Sequence, residues 1–384
     1  MIERNITKLI HERLGRYPAV VLVGPRQCGK TTLARSFGGR YFDCEVDGDV
    51  ARLDAEWDVV VKGDDLVILD EIQEAPDIFR RLRAAIDADR DRRGRFLLLG
   101  SVAPALMQGV GESLAGRMGL IHLSPFVLPE LSDERLDDLW LYGGFPDGGI
   151  RDSAMYPVWQ QDYIEAIVTR DLPLWGLTAA PRLMRRLAAM LGADHGSTFN
   201  AAKLGESLGV DHKTVQRYCD HLEGAFLIRR LPPWSGNIRK RLVRRPKVYW
   251  RDSGLLHGLM QVQDREDLYR KPFAGASWEG FVIEQTLRVL DNAGARAEPF
   301  FFRTSDGHEL DLVLEWQGKT WAIEIKLTSN PNSAMIKRLH RVADHIDADQ
   351  RVLVCRIAKP FGDERSLVCD LPRWLKELQT AATT

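Results

Sequence analysis

Cysteine is scarce and scattered in this chain. Its five residues, Cys28, Cys44, Cys219, Cys355 and Cys369, form no C-x-x-C pair, which argues against a disulfide framework and against a thiolate zinc site. Long apolar runs are missing as well. None reaches the ~18 residues a membrane-spanning helix needs, and the opening Met1-Ile2-Glu3-Arg4-Asn5 has no apolar leader core. A cytoplasmic protein with no membrane partner is expected. Neither sign of charge is in excess: 53 Lys and Arg stand against 54 Asp and Glu, a formal −1. Any nucleic-acid binding must therefore come from a local patch and not from the field of the whole molecule. A composition of 45% hydrophobic and 28% charged residues excludes a disordered chain, and 384 residues exceed one ordinary core.

Gly24-Pro25-Arg26-Gln27-Cys28-Gly29-Lys30-Thr31 fits the phosphate-loop pattern G-x-x-x-x-G-K-[S/T], with Thr32 following. An apolar strand, Ala19–Val23, precedes it and a helical run begins at Thr32, the order such a loop requires. Gly24 and Gly29 let the backbone wrap a phosphate closely, and the N–H groups at the helix start face it. Lys30 is placed to reach the β- and γ-phosphates of ATP, and the Thr31 hydroxyl to bind Mg²⁺. Cys28 reads as a small filler.

A second apolar strand, Leu66-Val67-Ile68-Leu69, ends in Asp70-Glu71. In nucleotide hydrolases this arrangement puts the first acid on Mg²⁺ and the second beside the attacking water as base. Further strands are expected at Arg40–Asp43, Phe96–Leu99 and Leu120–Leu123, giving a parallel sheet with every motif on its carboxyl edge. Arg117, just before the last strand, is a candidate for delivering a guanidinium to the γ-phosphate, in cis or from a neighbouring copy. The other reading pairs it with a surface acid.

The series GPRQCGKTT, LVILDEIQ, LLLGS and SLAGR resembles the prokaryotic AAA-type ATPases whose C-terminal half is a domain of unknown function. The resemblance continues through Gly143-Gly144-Phe145-Pro146, Tyr163–Leu172 and Pro246–Leu255, nearly the whole chain. It implies ATP binding and hydrolysis, a polar sensor at Ser101, and possible assembly with further copies of the chain. Val102-Ala103-Pro104 is less polar than that pattern leads one to expect.

Beyond a helical connector over 131–180, Ala201–Leu208 and the segment from Lys213 read as two helices joined by a tight turn at Gly209-Val210. Leu204, Leu208, Val215, Tyr218 and Leu222 point inward. With the strand Phe226–Arg230 this suggests a winged helix. His212, Lys213, Gln216 and Arg217 would face DNA, and the basic run 239–247 would meet its phosphates. Protein docking is the competing use of such a unit.

Glu309–Glu315 alternates like a strand, Trp316–Lys319 turns, and Trp321-Ala322-Ile323-Glu324-Ile325-Lys326 returns. Asp311, Glu324 and Lys326 in this order resemble the metal site of restriction-endonuclease-like folds, where two carboxylates hold Mg²⁺ and the lysine positions a water. Glu279, on a preceding helix, fits the place of a further acid. The expected architecture is α/β: an AAA-type P-loop sheet over 1–130, the connector, a winged helix over 181–260 and a PD-(D/E)xK nuclease-like domain over 261–384. Three functions compete: a Mg²⁺-dependent ATPase coupled to DNA, a metal-dependent nuclease using ATP as a switch, and a non-catalytic nucleotide-gated docking protein.

Overall fold

The computed structural model describes residues 2–100, 114–236 and 243–383. Ser101, Val102-Ala103-Pro104 and, from the basic run, Arg239, Lys240 and Arg241 lie outside them. The chain forms two compact units. The first comprises Met1–Phe126 with Leu174–Gly176 and Gly224–Phe226; the second comprises the remainder.

The first unit is built on β1 (Ala19–Val23), β2 (Arg40–Asp43), β3 (Val67–Asp70), β4 (Phe96–Gly100) and β5 (Met118–His122), in the order β2-β3-β4-β1-β5. All their pairings are parallel. β1 and β4 are apolar throughout and buried at every position, as a sheet covered on both faces demands. Helix α1 (Thr7–Leu14) precedes the sheet, and α2 (Lys30–Arg35), α3 (Asp47–Lys62) and α4 (Asp77–Ala88) connect its strands β1 to β4. α4 turns Ile78, Phe79, Leu82, Ala85 and Ile86 inward, the spacing of one helical face. They meet Phe42, Leu53, Phe96 and Leu98 in one core, each large side chain contributing about 1.5–3 kcal/mol. β4 lies between β1 and β3, so the ends of all three strands share one edge.

In the second unit, α5 (Leu136–Tyr142) and α6 (Val158–Ala166) precede α7 (Pro181–Ala193), α8 (Ala201–Leu208) and α9 (His212–Gly224). The Asn200 side chain caps α8, and Gly209 ends it in the left-handed conformation (φ 73°). Leu204, Leu208, Val215, Tyr218 and Leu222 are all buried. β6 (Ile228–Leu231) then pairs antiparallel with β7 (Lys247–Trp250).

α10 (Ser253–Leu259) and α11 (Arg265–Arg270) lead to α12 (Ala274–Asn292), which lies against the second sheet. That sheet runs β12-β13-β11-β10-β9-β8, from β8 (Glu298–Arg303), β9 (Glu309–Trp316), β10 (Lys319–Ile325), β11 (Gln350–Val354), β12 (Phe361–Gly362) and β13 (Ser366–Cys369). β9 and β10 form a hairpin closed by Gln317 (φ 52°) and Gly318 (φ 71°), the two positive values a tight right-twisting turn needs. α13 (Ser333–Ala343) and α14 (Leu371–Thr383) complete the unit. No helix among the described residues is long and apolar enough to cross a membrane.

Candidate nucleotide site and a second charged cluster

β1 carries the phosphate-loop pattern to the carboxyl edge of its sheet. Gly24 is fixed by space, because a Cβ there would stand 2.2 Å from the Leu123 carbonyl oxygen. Gln27 (φ 59°) and Gly29 (φ 98°) take the left-handed conformation that folds the loop onto α2. Lys30 opens α2 but is only 6% exposed. Its Nζ donates to the carbonyls of Gly24 (3.1 Å) and Pro25 (3.0 Å), so its charge sits inside the loop. Pro25 is buried, Arg26 pairs with Glu45 at 3.6 Å, and Gln27 and Thr32 are exposed. The Cys28 thiol is buried 3.6 Å from the Leu123 carbonyl, and burial raises its pKa, as suits a filler.

Asp70 ends β3 almost fully buried. One of its oxygens, Oδ2, accepts from the Thr31 hydroxyl (2.6 Å) and from the Tyr41 hydroxyl (2.8 Å), while Oδ1 accepts from the Glu71 N–H (3.0 Å). Glu71 leaves the strand at φ 46°, a conformation costing a side-chain-bearing residue about 1–2 kcal/mol. The strand's alternation breaks there, so the two neighbouring carboxylates need not face opposite ways. The Gln73 amide holds the Glu71 carboxylate. Gly100, whose register partner is Val23, ends β4 between loop and acids, and the expected sensor Ser101 follows it outside the described residues.

Two residues here carried no signal in the sequence. Tyr41 is the donor just described. Burial, then its hydrogen bond to Asp70 and that residue's charge, raise its pKa well above the ordinary tyrosine range. Arg4, also buried, donates to the Cys28 carbonyl (3.1 Å) and the Ser124 carbonyl (2.6 Å) with its guanidinium 4.7 Å from the Phe126 ring centre.

Arg117 is not brought to this loop. β5 begins at Met118, two residues earlier than the sequence suggests, and Met118 pairs with Ala19 at the start of β1. The loop follows Val23 at the other end, about 13 Å away at ~3.3 Å per residue. Arg117 instead forks onto Asp87 with contacts of 2.8 and 3.0 Å, and hydrogen bonds from Arg117 and then Arg90 pull that carboxyl down to about 2. The arginine's own surface acid, and not a phosphate of the same chain, is its partner.

Three family matches divide the sequence: an AAA domain over residues 16–132, a domain of unknown function (DUF8612) over 133–266 and another (DUF4143) over 274–374. The uncharacterized protein Rv2008c of Mycobacterium tuberculosis is 40% identical over 335 residues, 86% of this chain and 75% of its own; Mb2031c of Mycobacterium bovis gives the same values. The chain belongs to their family of AAA-domain proteins. Among solved structures it is similar to the Walker-type ATPase paby2304 of Pyrococcus abyssi, at 14% identity and a TM-score of 0.47 over 68% of this chain and 96% of that one. It is also similar to AMPPCP-bound DnaA from Aquifex aeolicus, at 15% identity and a TM-score of 0.28 over 57% and 85%. The first unit is thus the family's AAA-type P-loop nucleotide-binding domain, on the strength of the family match and the loop itself.

A second group of charges lies where α12 meets the second sheet. Register places Glu324 across from Asp311, since Ile323 opposes Leu312. Lys326 Nζ bridges them, 3.1 Å from Asp311 and 2.9 Å from Glu324, and the Ile325 N–H donates to Asp311 at 2.8 Å. Glu279, on α12, accepts from the Tyr249 hydroxyl (2.5 Å) and from Lys247 (3.0 Å), which also reaches Glu309 at 2.6 Å. Burial, then the charge of Asp311, hold the Glu279 and Glu324 carboxyls well above the ordinary range. Lys247 therefore departs from the expectation for the basic run. It is 3% exposed, facing acids and not solvent, whereas its neighbours Arg244 and Arg245 are exposed. A lysine flanked by arginines reads as surface, and its partners lie 32 and 62 residues further along. Among the described residues, no set of three or more His, Cys, Asp or Glu is grouped so as to hold a metal ion.

Proposed function

We propose that the protein is a Mg²⁺-dependent AAA-type ATPase whose second unit engages DNA through α9. The observation that carries the ATPase reading is the meeting of Lys30, Thr31 and Asp70 at one strand edge: a buried ammonium inside the loop, and a threonine hydroxyl bonded to a buried carboxylate. Thr31 and Asp70 fit Mg²⁺, which takes oxygen ligands from a hydroxyl, one carboxylate and phosphates. When bound, the ion would neutralise charge on the β- and γ-phosphates. Lys30 exchanges its loop carbonyls for phosphate oxygens. Tyr41 keeps the Asp70 carboxylate oriented. Glu71, steadied by Gln73, takes the proton of the attacking water. Ser101, next in sequence after β4 and outside the described residues, is assigned the sensor role.

The DNA reading is supported by the exposed first turns of α9, where His212, Lys213, Gln216 and Arg217 all face solvent, and by exposed Arg244 and Arg245. Measuring ATP binding and turnover separately tests the catalytic assignment. Lys30→Ala should abolish binding, whereas Glu71→Gln should bind ATP normally and fail to turn it over. Wild-type turnover in Glu71→Gln removes that residue as the base. DNA affinity should fall steeply with salt and weaken in Lys213→Ala/Arg217→Ala. Salt-insensitive or unchanged affinity would instead favour a docking role for the helices.

A further inference from the structure

The acids of the second unit carry the Asp…Glu-x-Lys order of a metal-dependent nuclease, but the side chains around them are placed differently. A divalent cation on Asp311 and Glu324 needs their oxygens turned toward one open position, with the helix acid Glu279 beside it. Here Lys326 lies between Asp311 and Glu324, within 3.1 Å of both. Glu279 is taken up by a different pair of donors, the Lys247 ammonium and the Tyr249 hydroxyl. Lys247 in turn ties Glu279 to Glu309 on the neighbouring strand. Four carboxylates are thus bridged in pairs by two ammonium groups, so the oxygens a cation would take already face ammonium. These residues do not fit a divalent cation.

We infer that Lys247 is, with Lys326, an internal cation of this constellation: Lys326 stands between Asp311 and Glu324, Lys247 ties the helix acid Glu279 to Glu309, and the cluster is a metal-free ionic lock. The position of Lys247 in the chain gives the lock its purpose. It begins β7, and Arg251, just after β7, binds Glu284 further along α12 at 3.2 Å. The hairpin that follows α9 is therefore clasped to α12 at both ends of one strand, through Glu279 and Glu284. A mobile hydrated metal could not fix β7 in this way, whereas a side chain of β7 itself does.

The test is Mn²⁺ binding by the full chain without nucleotide, followed by the loss of the free-ion paramagnetic resonance signal. A Thr31→Ala background silences the phosphate-loop metal, and because the readout is metal binding and not turnover, its outcome is separable from that of the ATPase reading. At millimolar Mn²⁺, Thr31→Ala should bind no more ion than Thr31→Ala/Asp311→Asn. A stoichiometric site present in the first and lost in the second overturns the inference. Adding Lys247→Met should create a Mn²⁺ site on the freed Glu279 and Glu309 carboxylates that Glu279→Gln then removes. A folded Lys247→Met protein that gains no site overturns the role given to this lysine. Should that variant fail to fold, as its circular dichroism would show, the comparison with Asp311→Asn decides alone.

Discussion

Glu284→Gln is the sharpest probe of how the second unit holds together. The carboxylate is 2% exposed and receives three guanidinium groups: Arg229, Arg251 at 3.2 Å and Arg288 at 3.5 Å. Glutamine keeps the size and removes the charge, leaving three largely buried cations facing one another. Burial already pulls Arg251 down to about 10, with Arg229 and Arg288 adding to the push against the pull of Glu284. Breaking a buried ion pair at one partner costs about 3–5 kcal/mol, a large part of the 5–15 kcal/mol typical of a whole domain. Urea denaturation of the full chain checks it, with Trp250, Trp278 and Trp374, all buried in this unit, reporting the transition. A cost below ~1 kcal/mol, the range of solvated surface pairs, would refute the reasoning. Acid provides the second half of the test. The arginines hold Glu284 at about 2 against the working burial penalty, compared with an ordinary 4.5. Its contribution is therefore complete above about pH 4.5 and is lost as pH falls through 2. At ~1.4 kcal/mol per tenfold change the share is about 3 kcal/mol, and Glu284→Gln should lack it.

The nucleotide site yields three more expectations. Tyr41→Phe removes one of the two hydroxyls on Asp70 Oδ2; a hydrogen bond to a charged group is worth about 1.5–3 kcal/mol, so kcat/KM for MgATP should drop about ten- to a hundredfold. An unchanged Mg²⁺ dependence of turnover would deny Tyr41 its positioning role. Gly24→Ala, with its Cβ 2.2 Å from a backbone oxygen, should displace the loop and lose ATP binding by calorimetry, and normal affinity would show that the loop gives way freely. Arg117→Ala should leave the turnover of monomeric protein unchanged, because its guanidinium is on Asp87 at the far edge of the sheet. A loss that appears only at assembling concentrations would assign it to a neighbouring copy.

What the sequence disclosed follows from the range of the forces involved. The loop, its strand and its helix are specified within the seventeen consecutive residues from Ala19 to Arg35, so pattern alone locates them. Asp70-Glu71 at a strand end and the Gln317-Gly318 turn are equally local. The α8–α9 pair was legible because burial of Leu204, Val215 and Tyr218 repeats at helical spacing. Arg117 precedes β5, so it lies at the amino end of a parallel strand, away from the loop that follows Val23, and its partner Asp87 is 30 residues earlier in the chain. Arg4, Tyr41 and Lys247 stayed hidden because their partners lie on other elements: Arg4 meets Cys28 and Ser124, Tyr41 meets Asp70, and Lys247 meets Glu279 and Glu309. Nothing in a run of arginines distinguishes the one cation that will be swallowed by carboxylates.

The inward fold of Lys30 has a consequence for how a nucleotide arrives. Its ammonium is already desolvated and already satisfied by two main-chain oxygens, at 3.1 and 3.0 Å. An incoming phosphate thus meets a cation stripped of water beforehand, and capture is a swap of acceptors at a preset charge. Selectivity then falls on the anion: a ligand able to supply fewer than two oxygens at that point would lose to the loop's own carbonyls.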